Sequence, residues 1–148
     1  MPGPEEREAD VTVHLQHLDR AECIRLLGSV SVGRLGLLVD GRPEILPVTY
    51  ALDEETVVFR TAEGTVLTQA AMQVVAFEAD QIDEATRTGW SVLAQGVAHD
   101  VSDALDTRSE RLRALALVTW APGRRHRWFR LDAHRLTGRR LLVGRGGD

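Results

Sequence analysis

Lysine is missing from this chain: all 18 basic side chains among its 148 residues are arginine. Schiff-base chemistry by a side chain is thereby excluded, because it needs a primary amine. Any anion must be met by planar guanidinium forks, backbone N–H groups or hydroxyls. Cysteine is nearly missing too. The single Cys23 rules out an internal disulfide and fits a reducing compartment, so a cytoplasmic location is expected. No apolar run approaches the roughly 20 residues of a membrane span. The start, Met1–Glu8, lacks the basic-then-apolar order of a secretory leader, and a membrane is not an expected partner. Neither a Walker pattern nor G-x-G-x-x-G occurs, which removes the two commonest nucleotide loops. Aromatic residues make up only 5%, so where the few stand is informative.

What is present suits one globular domain. The apolar share of 43% is ordinary, and the length supports a single core. Residues 1–12 are expected to be a disordered tail and 13–148 one domain. Asp19 and Glu22 open a helix in capping-box spacing, Leu18, Cys23, Leu26 and Leu27 give its apolar stripe, and Gly28 ends it. Cys23, in that stripe, reads as a buried inert thiol. From Val30 the period changes to two. Ser31–Val39 and Arg42–Leu52 read as strands joined by a tight Asp40-Gly41 turn, with Thr56–Thr61 as a third. Glu63–Met72 reads as a short helix, Val74–Asp80 as a fourth strand and Gln81–Thr88 as a polar loop. Gly89–Val101 reads as a long fifth strand kinked at Gly96. Ser102 is expected to cap a helix over 103–118, and Arg127–Thr137 to form a sixth strand, with a short piece at Arg139–Val143. These elements predict an α+β protein: a six-stranded antiparallel split β-barrel with peripheral helices.

Chemistry concentrates where strand Val57–Thr61 runs into Ala62-Glu63-Gly64-Thr65. A strand end passing through a Gly/Thr turn into a helix start lets N–H groups and hydroxyls converge on an anion. Other clusters carry less. His14 and His17 could share a helix face, but no third ligand is near, so no metal site is expected. Asp103, Asp106, Arg108, Glu110, Arg111 and Arg113 read as a solvated helix face. Gly123-Arg-Arg-His-Arg-Trp-Phe-Arg has the basic-aromatic mix of single-strand binders. Its alternation, with Phe129 and Leu131 on one side, and the net charge of −4 oppose that reading, so nucleic acid is not an expected partner. No Ser/His/Asp set declares itself, and no catalytic acid or base is named.

Several pieces, in order, resemble the pyridoxamine-phosphate-oxidase-like family of flavin-binding split barrels, in its short bacterial branch. They are Gly33-Arg34-Leu35, Asp40-Gly41-Arg42-Pro43, Pro47-Val48-Thr49-Tyr50, Phe59–Thr65, Gly89-Trp90-Ser91-Val92, Trp120-Ala121-Pro122-Gly123 and Thr137-Gly138-Arg139-Arg140. The resemblance spans residues 18–142. It implies a homodimer holding flavin mononucleotide (FMN) in grooves between subunits and acting on a small organic substrate as an oxidoreductase. Pro47, Val48, Thr49 and Tyr50 would run along the flavin ring. Arg60, Thr61 and Thr65 would face the ribityl chain and phosphate, with Val66 beside them. Trp90 and Ser91 would approach from the other subunit, and Trp120 and Arg139 would close the mouth. Tyr50, Trp90 and Trp120 are amphipathic aromatics able to pack on a flat heterocycle. One position departs from the pattern: relatives commonly carry a basic residue after Gly-Thr, where this chain has Val66. Arg60 or an arginine of 124–130 would then meet the phosphate. The branch also includes deazaflavin users, and a non-catalytic binding or regulatory protein without cofactor is the competing class. Pyridoxamine phosphate oxidation itself is not expected, because Thr137–Arg140 does not match that enzyme's substrate-holding basic motif.

Overall fold

The structure, a computed structural model, describes residues 11–62, 66–117 and 126–145. In chain order the elements are β1 (Val11–Leu18), α1 (Arg20–Leu27), β2 (Val32–Val39), β3 (Arg42–Asp53), β4 (Thr56–Ala62), a 3-10 turn (Val66–Ala70), β5 (Val74–Asp83), β6 (Thr88–Asp100), α2 (Thr107–Arg113), β7 (His126–Asp132) and β8 (Arg135–Arg145). The strands pair antiparallel in the order β1-β8-β6-β5-β2-β3-β4-β7, and β6 also pairs with β7. That last pairing closes a ring of β6, β5, β2, β3, β4 and β7. Five of these are strands expected from the period-two pattern, and β7 is the first part of the expected sixth. β8 and β1 extend the sheet beyond β6, so the strand total is eight rather than six.

The ring closes because β6 changes partner along its length. Gly89–Gln95 pair with β8, and Ala98–Asp100 pair with β7. Gly96 sits at the switch, as the expected kink required. A Cβ there would lie 2.4 Å from the carbonyl oxygen of Asp132, so only glycine permits β7 to come so close. The Asp40-Gly41 turn also forms as expected, with φ of 51° and 75° at its two central residues.

Inward side chains fill the ring. Leu35, Phe59, Phe77, Val92, Phe129 and Leu131 are fully buried, and Phe59 stacks on Phe129 at 5.2 Å. Each such side chain taken from water stabilises the fold by about 1.5–3 kcal/mol. α1 lies against β8 and β6. Its N-cap forms as expected, with the Glu22 amide donating to Asp19 Oδ1 at 2.9 Å. The Glu22 carboxylate does not close a capping box; it accepts from Arg25 and Arg140 instead. Those two partners, Arg25 first, hold its carboxyl down at about 2. Cys23 is buried as expected, and burial raises its thiol.

Several expectations are corrected. The polar segment 81–88 is strand at both ends, with its turn between Asp83 and Thr88. The sixth strand is two: β7 ends at Asp132 and β8 begins at Arg135. Val11 and Thr12 open β1 rather than closing a tail, and a strand puts His14 and His17 on opposite faces, not one. The helix over 103–118 is only Thr107–Arg113, and Asp106 is its cap. The Ser102 hydroxyl accepts from the Trp128 amide instead. The charged face of α2 is largely solvated as expected, with Asp103, Asp106, Glu110 and Arg111 exposed, yet two of its arginines also tie the helix down. Arg108 bonds Thr56 and Asp132, and Arg111 bonds Asp53, so the helix is tied onto the outer side of β4 and β7. Of the helix expected at 63–72, the described part is the 3-10 turn.

Candidate functional site

Alternation sorts the expected site residues at once. On β3, Val48 and Tyr50 turn inward and are buried, while Pro47 and Thr49 turn outward opposite Arg34 and Val32. Tyr50 is a core residue: its hydroxyl donates to Leu27 O, and its ring meets Phe77 edge-on at 4.7 Å. Burial pushes its phenol well up. Its side chain is therefore not offered to a flat ligand, although its backbone borders the outward pair. Thr61 is 2% exposed and lies on the Phe59 side of β4, whereas Arg60 lies on the other face. The expected set of Arg60 and Thr61 is thus split across the sheet. Val66 is exposed at the start of the 3-10 turn. Thr65 and Trp120 lie outside the described residues.

Arg60 occupies an unusual setting. Nη1 donates to Leu117 O at 2.9 Å, and the guanidinium lies 5.1 Å from the Trp128 ring centroid. Its Nε is buried without a partner, as is Nδ1 of His126, which follows on the neighbouring strand. A buried guanidinium N–H left unmatched costs free energy. The Arg60 Nε–H is a donor that an anionic group at this end of β4 would satisfy. This end of the barrel therefore fits the phosphate of a nucleotide.

The remaining expected residues gather elsewhere. Ser91 and Arg139 face each other directly in the β6–β8 ladder. They line two adjoining clefts on the outer face of the sheet. One, of about 530 Å³, also takes in His17, Glu78, Arg135 and Thr137. The other, of about 410 Å³, takes in Leu15, Ile82, Trp90 and Leu141. Trp90 itself is 8% exposed and packs in the core with only part of its surface on the cleft. Between β6 and β3 stand β5 and β2. Three strand spacings of about 4.8 Å separate the two groups by roughly 14 Å within one chain.

Sequence reasoning missed the carboxylates of this face. Arg34 on β2 reaches both Glu78 and Asp80 on β5 at 3.4 Å. Burial, then the neighbouring Asp80, pushes the Glu78 carboxyl up to about 7 against the pull of Arg34. A signal was present: Glu78 interrupts an apolar strand at a position out of phase with Phe77 and Ala79. Among the described residues no cluster of three His, Cys, Asp or Glu could hold a metal, and no helix is long and apolar enough to cross a membrane.

A closed six-strand ring with a two-strand extension, α1 against one face and α2 on the outside, defines an α+β split β-barrel. A family model described as pyridoxamine 5'-phosphate oxidase matches residues 19–140, and the chain belongs to that family. It is 37% identical over 108 residues to an uncharacterized protein of Mycobacterium tuberculosis, covering 69% of this chain and 71% of that one. Among solved structures, it resembles an FAD binding protein from Mycobacterium smegmatis at 37% identity, with a TM-score of 0.70 over 84% of this chain and 95% of the other. A conserved protein of unknown function from Corynebacterium diphtheriae is 31% identical, with a TM-score of 0.71 over 86% of this chain and 98% of that one.

Proposed function

We propose that this protein binds a flavin nucleotide at the β3–β4 end of the barrel and acts as an oxidoreductase on a small organic substrate. The observation that carries the reading is the orphaned, buried Nε of Arg60 near the end of β4. The 37% identical relative described as FAD binding supports a flavin. The phosphate of FMN or the first phosphate of FAD would rest on Arg60, with Val66 close by. Backbone groups of Val48–Tyr50 would border the ring. Flavin supplies hydride or electron transfer when bound. The chain's own part is to hold it, to keep one ring face against β3, and to match its charge with arginine.

A homodimer belongs to the proposal. On one chain Ser91 and Trp90 stand about three strand spacings from Thr49, so a second copy must bring its β6–β8 face against β3 to complete the slot. Val13, Leu15, Ile45 and Val74, all more than half exposed on this outer face, support burial between copies. The buried, unpaired Cys23 supports a reducing, cytoplasmic compartment.

The absorbance spectrum of freshly purified protein tests the reading. A flavin band near 450 nm (roughly,) is expected, with mass spectrometry of the released chromophore separating FMN, FAD and deazaflavin. Arg60→Gln should weaken uptake tenfold or more, the usual scale of one charge-assisted bond (about 1.5–3 kcal/mol). Val66→Lys should tighten it by a similar factor. A colourless protein that takes up no added flavin would return the chain to the class of non-catalytic binding proteins.

A further inference from the structure

Alternation along β5 sends Val75, Phe77 and Ala79 into the core and Val74, Ala76, Glu78 and Asp80 to the outer face. Glu78 and Asp80 are thus like charges one pleat apart. A single cation serves both: Arg34 on β2 reaches each carboxylate at 3.4 Å. In the ladder Arg34 stands between Pro47 of β3 and Glu78, and Glu78 stands beside Leu93 of β6. The same face turns apolar toward the β2–β3 hairpin, where Leu38, Ile45 and Val74 are all more than half exposed.

Given a flavin slot completed by a second copy, on which this inference rests, the sheet order fixes where the cluster lies. In the order β3-β2-β5-β6, the strands β2 and β5 lie midway between β3 and β6. A two-fold that lays β6 of each copy over β3 of the other therefore runs along the strands, between β2 and β5. It sets β5 of each copy over β2 of the other, so that Glu78 of one copy meets Arg34 of the second. The apolar end of the face is covered at the same time. Each copy brings one guanidinium and two carboxylates to the axis. Fully ionised, the joined clusters would carry excess negative charge away from water, and one proton per copy removes the excess.

We propose that assembly of the two copies is proton-gated: their Arg34–Glu78–Asp80 clusters meet at the two-fold and close when each cluster carries one proton. Glu78 is the carboxyl that holds it. In the single chain, burial, then Asp80, already pushes this group up to about 7 against the pull of Arg34. The other charged groups facing it are His17 on β1 and Arg135 and Arg139 on β8, while β6 presents Ser91 and Leu93, which carry no charge. The protonated form is the one that joins. Affinity between copies is therefore full below about 7 and is lost as pH rises above it. With the contact goes the second wall of the slot, and flavin is released.

The test is sedimentation of the full chain as purified, at low micromolar concentration, from about pH 6 to about pH 9, with flavin absorbance read in the same cells. A dimer at the acid end and a monomer at the alkaline end are expected, the dissociation constant rising about tenfold or more per pH unit above about 7. Glu78→Gln, which imitates the protonated carboxyl, should stay dimeric throughout. Asp80→Asn, which balances the clusters without a proton, should flatten the profile too. His17→Gln should leave the profile as in the parent, and Arg34→Gln should weaken the dimer about tenfold at every pH. A dimer equally tight across the range, the parent profile retained in both Glu78→Gln and Asp80→Asn, or a profile flattened by His17→Gln instead overturns the gate alone and leaves the slot standing. A monomer at every pH overturns the gate as well, and flavin still held by that monomer would place its site within one chain. A pH-dependent dimer that takes up no flavin keeps the gate and removes the flavin reading.

Discussion

At the β4–β7 end, the chain covers its own outer face; at the β6–β8 end it leaves the same kind of face open. Over β4 and β7, residues 101–117 bring down Val101, Leu112 and Leu117, which with Val58 form a second buried layer outside the ring. Arg108 and Arg130 converge on Asp132, and Arg127 on Asp100 and Asp103. Among the described residues, Leu141 and Leu15 over β6 and β8 stay exposed, and Arg135 and Arg139 hold no acceptor. The contrast teaches that the arginine-rich C-terminal quarter is two different things. In its β7 half charge is cancelled locally, whereas on β8 Arg140 holds Glu22 and Arg135 and Arg139 hold no carboxylate among the described residues.

The strongest way to break this contrast is to remove an anchor of the closed end. Phe129→Ala should cost about 3–5 kcal/mol in urea unfolding, because the ring is fully buried on Phe59. Gly96→Val comes next. Its Cβ would meet the Asp132 carbonyl at 2.4 Å, and the shift needed should cost about 1–3 kcal/mol and lower the melting temperature. Arg108→Gln should cost about 1 kcal/mol, since it removes a half-exposed guanidinium from Thr56 and Asp132.

The acid–base behaviour of the two ends should have opposite slopes. Burial alone would raise the Asp132 carboxyl, but hydrogen bonds from Arg108 and Thr56 hold it below the ordinary value of 3.8. Its contribution is present above that value and is lost on acidification. Glu78 is held at about 7 against an ordinary 4.5, so its contribution is present below 4.5 and is lost as pH rises toward 7. Glu78→Gln should therefore keep the melting temperature at pH 8 closer to that at pH 5 than the parent does, read by circular dichroism. A steeper loss in the variant would contradict the assignment. At the bottom of the scale, Arg139→Gln and Leu141→Ala should change stability by less than about 0.5 kcal/mol in dilute monomer. A larger loss would mean that the open face is supported from within the chain.

Much of the ring was legible because its strands have one buried and one outward face, which writes a period of two into residues such as Phe77 and Ala79. β1 carried the same mark in Val13 and Leu15, yet residues 12–17 are exposed on both faces and adjoin a polar start, so its first two residues read as tail and the rest as no strand. The break between β7 and β8 carries no glycine or proline and left no trace in composition. Ser102 and Asp106 are both capable caps, and only the position of the Trp128 amide decides between them. Of the site, strand alternation alone separates Thr61 from Arg60 and sends Tyr50 to the core. What could not be read is which guanidinium is spoken for. Arg34 finds Glu78 44 residues away, and Arg139 finds no one, because cross-strand neighbours are set by topology rather than by spacing along the chain.

β6 serves two masters, and its ladder with β7 is short: three rungs, from Ala98 to Asp100, extended by the Val101 amide on Trp128 O and by Arg127 on Asp100. Were those rungs to part, the flat run from β1 to β3 could stay whole, with α2 still strapped to β4 and β7 as a flap. The first cooperative opening of this molecule should therefore be an unzipping along that ladder, visible as amides near Asp100 trading hydrogen for deuterium ahead of those in the middle of β5.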